Sequence, residues 1–340
     1  MRYMSSVTWR AAGRISRRDV IALAGAAAVH GAPAFAQRSA MPVIGYLGSE
    51  TPEAYASRLD AFREGLAETG YIAGRDVSIA FRWAEGQYQR LPALAAELAG
   101  LQVSVIVAPG GAEVALAAKS VTATIPIVFE MGGDPVALGV VASLSRPGGN
   151  LTGVSSLSVE ASSKRLEFMR ELLPTARLLA AAVNPSSPTS KLQAANLQAA
   201  ADSLGVRLRF LTASNEQEFD GVFAGAQQMQ AGGIVFTSDP YFAYRSKRLA
   251  ELAVQYGMPA ITQARDFPAA GGLMSYGGDF RQSHRHTGVY AGRILKGEKP
   301  ADLPVQRVTK VELFINLKAA RELGTPFPPS LLSSADMVIE

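Results

Sequence analysis

The 340-residue chain carries 33 Lys and Arg against 29 Asp and Glu, but the excess is local. Residues 1–36 hold five of the basic residues and one of the acidic ones, which leaves 28 of each sign and no basic footprint for nucleic acid. The absence of cysteine excludes disulfides, thiolate metal sites, a Cys nucleophile and a lipid-anchored N-terminal Cys.

The first 36 residues read as an export signal. Arg2, Arg10, Arg14, Arg17 and Arg18 precede an Ala-rich run from Val20 to Val29 that is too short to span a bilayer, and Ala34-Phe35-Ala36 supplies a small-x-small cleavage site. Ser16-Arg17-Arg18-Asp19-Val20-Ile21 resembles the twin-arginine signal, with the general secretion route as the alternative. The secreted form is expected to begin near Gln37, as a soluble periplasmic monomer that is not membrane-embedded. About 304 residues then remain, enough for two domains of ~150 each.

From residue 43 onward, short β-branched runs alternate with amphipathic helices. Val43–Gly48 predicts a strand; Tyr55, Leu59, Phe62 and Leu66 lie at helical spacing, and Gly70 stops that helix. Strands are predicted at 77–83, 103–108 and 126–130, helices at 91–98 and from Pro109-Gly110-Gly111 to Ser120, and another helix after Asp134-Pro135. Beyond a segment at 150–156 the cycle restarts, with helices at 160–173, 188–203, 215–230 and 240–256. Strands at 178–183, 206–212, 233–237 and 259–263 alternate with them. Two such series imply two doubly wound parallel-sheet lobes of an α/β protein. The remaining strand at 272–276, helix at 281–295 and extended run at 305–316 cannot form a third domain. They are read as the chain returning to the first lobe and back, a three-stranded hinge that permits clamshell closure. The expected division is 42–154 plus 273–304 for the N-terminal lobe and 155–272 plus 305–340 for the C-terminal lobe.

Several strings resemble a known family. They include Phe62-Arg63-Glu64-Gly65-Leu66, Gly133-Asp134-Pro135-Val136, Arg146-Pro147-Gly148-Gly149-Asn150-Leu151-Thr152-Gly153-Val154 and Ser238-Asp239-Pro240. Ala270-Gly271-Gly272-Leu273-Met274-Ser275-Tyr276-Gly277 and Pro300-Ala301-Asp302-Leu303-Pro304 belong with them. They are similar to the substrate-binding proteins of tryptophan/tyrosine-type ABC importers. The resemblance covers essentially all of 42–340. It implies the type I periplasmic-binding fold, a small-molecule ligand, and the permease and ATPase subunits of an importer as partners.

In parallel sheets ligands collect beyond the C-terminal strand ends, which nominates specific residues. Gly48 and Ser49 follow the first strand, as backbone approach and hydroxyl donor or as an ordinary turn. Gly110 and Gly111 open a helix whose free N–H groups suit a carboxylate. Asp239, before Pro240, reads as a helix cap or as the partner of a ligand ammonium, whereas Asp134 reads as a cap. Asn184 offers an amide, and Tyr276 is expected against the apolar part of an amino-acid-like ligand. Trp83 and Tyr46 are further aromatic candidates, as core or rim residues.

No enzyme, cofactor or metal is expected. Dinucleotide and phosphate loops and a Gly-x-Ser-x-Gly elbow are lacking. His284 and His286, two apart on a helix, point away from each other and read as part of a solvated face. Carboxylate pairs meeting in the cleft keep a hydrolase or redox enzyme as an alternative, and a sensory ligand-binding module is another. A sugar-responsive repressor would need a DNA-reading helix-turn-helix where this chain has its leader.

Overall fold

Strands built from continuous apolar runs, with helices to cover both faces, give two sheets in this computed structural model, which describes residues 41–156 and 158–340. The export leader and its cleavage site lie outside the described residues.

The first lobe takes β1 (Val43–Gly48), α1 (Pro52–Glu68), β2 (Ser78–Trp83), α2 (Leu91–Gly100), β3 (Val105–Pro109), α3 (Ala112–Val121), β4 (Ile127–Met131) and β5 (Leu151–Ser156). With β11 (Gln306–Val308) these strands form an all-parallel sheet in the order β11-β5-β4-β3-β1-β2. Every residue of β3 and β4 is buried, as strands covered on both faces require.

The second lobe contains α4 (Ala161–Leu172), β6 (Leu178–Val183), α5 (Ser190–Leu204), β7 (Arg207–Thr212), α6 (Phe219–Gln228) and β8 (Ile234–Phe236). It continues through α7 (Pro240–Tyr244), α8 (Ser246–Gln255), β9 (Ala260–Thr262), α9 (Asp266–Ala269) and β10 (Met274–Gly278). After α10 (Phe280–Leu295), which packs on α1 of the first lobe, the chain returns through β12 (Val311–Asn316), α11 (Leu317–Glu322), α12 (Pro329–Ser334) and β13 (Met337–Ile339). The sheet order is β13-β12-β10-β9-β8-β6-β7, with β10 and β12 antiparallel. The chain therefore crosses between lobes after β5, between β10 and α10, and between β11 and β12. Among the described residues no helix is long and apolar enough to cross a membrane.

Several expectations need correction. Residues 274–278 belong to the second sheet, because β10 pairs with β9 before the chain crosses. Residues 306–308 belong to the first, because they pair with β5. The boundaries at 272/273 and 304/305 therefore move to the crossings just named. The helix expected after Asp134 is a run of turns: Asp134 Oδ1 caps Val136 N–H at 2.8 Å, and Gly139 ends the turn at φ +66°. The helix expected over 240–256 breaks at Arg245 into α7 and α8. The local pattern predicts no element over 317–340 and none at 266–269, where α11, α12, β13 and α9 stand.

Candidate functional site

The C-terminal ends of both sheets meet around a small cavity of about 40 Å³. On the first-lobe side Gly110 and Gly111 turn the chain from β3 into α3 with φ of +98° and +122°, a region that favours glycine. Their donors are engaged: Gly110 N–H donates to Glu130 Oε2 at 3.2 Å and Gly111 N–H to the Glu130 carbonyl at 3.1 Å. Ser49 Oγ donates to Gly110 O at 3.4 Å and meets Tyr55 Oη at 3.1 Å, while Tyr55 donates to Pro109 O. Ser49 thus holds the glycine loop without lining the cavity. Gly48 makes room for the Trp83 indole, which a Cβ would strike. Trp83 and Tyr46 are packed together in the first-lobe aromatic core.

Two acidic side chains reach this end of the cavity. Burial pushes the Glu130 carboxyl up to about 7, against the Gly110 N–H and the Arg58 charge. Burial and then the Asp239 charge push Glu113 well above the carboxylate range. Glu113 Oε1 is buried without a hydrogen-bond partner among the described residues.

On the second-lobe side Asp239 follows β8 and caps α7, with Pro240 at the first helical position. Its Oδ1 accepts from Tyr241 N–H at 2.8 Å, Asn184 Nδ2 at 3.2 Å and Tyr88 Oη of the other lobe at 3.0 Å. Its Oδ2 is buried without a partner among the described residues, and burial raises its carboxyl against those hydrogen bonds. Asn184 positions Asp239 and accepts from Ser186 N–H. Arg165 braces the loops of this side, donating to Tyr276 O, Ser158 O, Ser162 Oγ and Ser238 Oγ.

The structure therefore brings Gly110 and Gly111 to the cavity wall, with Ser49, Asn184 and Asp239 directly behind it, but not Gly48 or Tyr276. Tyr276 sits in mid-strand, where side chains stand perpendicular to the sheet, and its ring meets Phe168 of α4 edge-on at 5.0 Å. His284 also departs from its expected solvated position. It shares the buried face of α10 with Thr287, Gly288 and Ala291, and it lines the cavity. Its Nδ1 lies 2.8 Å from the Phe280 carbonyl and must donate to it. Burial and the Arg58 charge depress it to about 3, so the ring is neutral with Nε2 as a bare acceptor.

Sequence reasoning missed Arg58, Glu113, Glu130 and Tyr88. Arg58 had a signal: it falls on the stripe of Tyr55, Leu59, Phe62 and Leu66, a charge on a face otherwise bound for the core. Glu113 was masked by its place in a first helical turn, where acidic residues are ordinary.

Two doubly wound lobes, three crossings and a cavity between facing strand ends define the type I periplasmic-binding fold. The chain belongs to the ABC transporter substrate-binding protein family, whose model matches residues 50–339. It is 26% identical over 256 residues to a tyrosine-binding protein of Clostridioides difficile, covering 75% of this chain and 73% of that one. A conserved domain protein of Vibrio cholerae superposes with a TM-score of 0.81 at 26% identity, covering 88% of this chain and 99% of that one. A domain from Streptococcus pneumoniae in complex with L-Trp gives 0.79 at 26%, with the same coverage.

Proposed function

We propose that this protein is the periplasmic binding component of an ABC importer, closing over an amino acid and passing it unchanged to a membrane permease. One observation carries the ligand class. Glu113 in the cavity wall and Asp239 directly behind it each leave a buried carboxyl oxygen without a partner among the described residues, and a ligand ammonium would supply donors to Glu113 and offset the burial that raises both carboxyls. The tyrosine-binding relative and the L-Trp complex support the same class. The leader supports the extracytoplasmic location; Arg17→Lys with Arg18→Lys should block export if the twin-arginine route is used, as fractionation would reveal.

The test is calorimetry of the purified protein against the common L-amino acids, with chromatography of the recovered ligand. Saturable one-to-one binding and intact recovery are expected. Binding of none of them, or conversion of ligand beyond protein stoichiometry, overturns the reading.

A further inference from the structure

We propose that Arg58 is the carboxylate anchor of this cavity, a guanidinium held between aromatic rings of the two lobes so that the site selects ligands bearing a free carboxylate. The inference rests on the amino-acid reading and assigns the end of the ligand that reading leaves open.

Arg58 projects from α1 into the cavity and is only 7% exposed. Its guanidinium carbon lies 4.1 Å from the ring centroid of Tyr244, from the second lobe, and 4.8 Å from that of Phe280, from the first. The rings favour the cation through its face but give its N–H edge no acceptor. Among the described residues it makes no hydrogen bond and has no carboxylate within ion-pairing distance. Other arginines at the lobe interface are committed: Arg165 donates four hydrogen bonds and Arg245 pairs with Glu50. The neighbouring Glu130 is tied to Gly110 N–H, with its carboxyl pushed up to about 7 by burial, and the Asp266 charge acts on Arg58 from beyond ion-pairing distance. A buried cation with free donors is costly unless an anion meets it, and a guanidinium fork matches a carboxylate bidentately.

The opposite sign governs the other polar atoms. Glu113 Oε1 and His284 Nε2 are buried without partners among the described residues, and Nε2 of the neutral His284 can only accept. The cavity thus offers both a donor fork and acceptors, as a zwitterion requires. Tyr244 also stacks on Tyr55 of the first lobe at 4.8 Å, so Arg58 is gripped only when the lobes meet. Carboxylate recognition and closure are thereby one event.

The test compares wild type, Arg58→Gln and Arg58→Lys by calorimetry against the common L-amino acids and the α-carboxamide of each one that binds. Wild type should prefer the free acid over its carboxamide. Arg58→Gln should lose about 10- to 150-fold in affinity for the acid and bind acid and carboxamide within a few-fold of each other. Arg58→Lys should retain part of the preference and lose it with added salt, as a point charge rather than a fork. Unchanged preference in Arg58→Gln overturns the assignment while leaving the amino-acid reading intact. Equal weakening of acid and carboxamide also overturns it, and makes Arg58 a packing residue. Failure of wild type to bind any L-amino acid removes both.

Discussion

The Asp239 carboxylate caps α7 through Tyr241 N–H and also accepts from Tyr88 of the opposite lobe, so its replacement touches stability and ligand together. Asn and Ser still cap but carry no charge. Asp239→Asn should therefore weaken binding of the preferred L-amino acid by roughly 10- to 150-fold with a nearly unchanged melting temperature. Asp239→Ala should lose a further ~0.5–2 kcal/mol of stability. Calorimetry and thermal melts decide it; full affinity in Asp239→Asn would make the residue a cap alone. Burial also sets a pH dependence. Glu50 and Glu130 are pushed from an ordinary value near 4.5 to about 7, so between those limits the folded chain holds protons that the unfolded chain has released. Their contribution is fully present below about 4.5 and is lost as pH rises through about 7. His284, depressed from 6.5 to about 3, has the opposite sign: its contribution is present above 6.5 and fades as pH falls toward 3. Denaturant melts at pH 5 and pH 8 should show Glu130→Gln losing less stability on the alkaline step than wild type does.

At the scale of elements, the pairing of α1 with α10 depends on two glycines. A Cβ on Gly65 would strike the Arg285 carbonyl, and one on Gly288 would strike the Phe62 carbonyl, both immovable backbone atoms. Gly65→Ala and Gly288→Ala should each destabilise the fold by about 1–3 kcal/mol, as overpacking does. Gly221 in α6 meets nothing within 4 Å of a built Cβ, and Gly221→Ala should instead stabilise by about 0.5–1 kcal/mol. Melting curves of the three variants should move in these opposite directions. The contrast also marks what was legible beforehand. Strands such as Val43–Gly48 and helices such as Pro52–Glu68 were readable because their apolar periodicity is local. The turns after Asp134 were not, because a cap followed by Pro signals a helix start whether or not the following residues continue it. Asp239 and the Gly110-Gly111 turn can be nominated from the sequence because strand ends advertise themselves. Arg58, Glu113 and Tyr88 reach the cavity region only through the meeting of distant elements, which no local pattern encodes. Tyr276 was misplaced because its strand was read correctly but its side chain faces the α4 layer.

For the whole molecule, the three crossings leave the lobes free to hinge, and the closed arrangement is held by contacts that span them. Arg245 of the second lobe donates to Glu50 Oε2 of the first at 2.8 Å and lies over the Tyr241 ring at 3.6 Å, with the Glu50 side chain only 2% exposed. Tyr88 donates to Asp239, and Tyr55 stacks on Tyr244. An open arrangement lacks these contacts, so weakening one shifts the equilibrium toward open and lowers apparent affinity by the fraction still closed. Breaking a buried pair on one side costs about 3–5 kcal/mol, since it leaves a charge uncompensated. Glu50 can relieve part of that by taking up a proton, because burial holds it at about 7 even against the Arg245 charge. Arg245→Ala should therefore weaken amino-acid binding by at least tenfold at pH 8, where about 1.4 kcal/mol suffices for each factor of ten. The deficit should shrink at pH 5.5, where Glu50 is neutral in the variant. Small-angle scattering at pH 8 should show a larger unliganded radius of gyration for Arg245→Ala, returning to the compact value at saturating amino acid. Equal radii and equal affinities for the two proteins at pH 8 would mean that the Glu50–Arg245 pair does not govern closure.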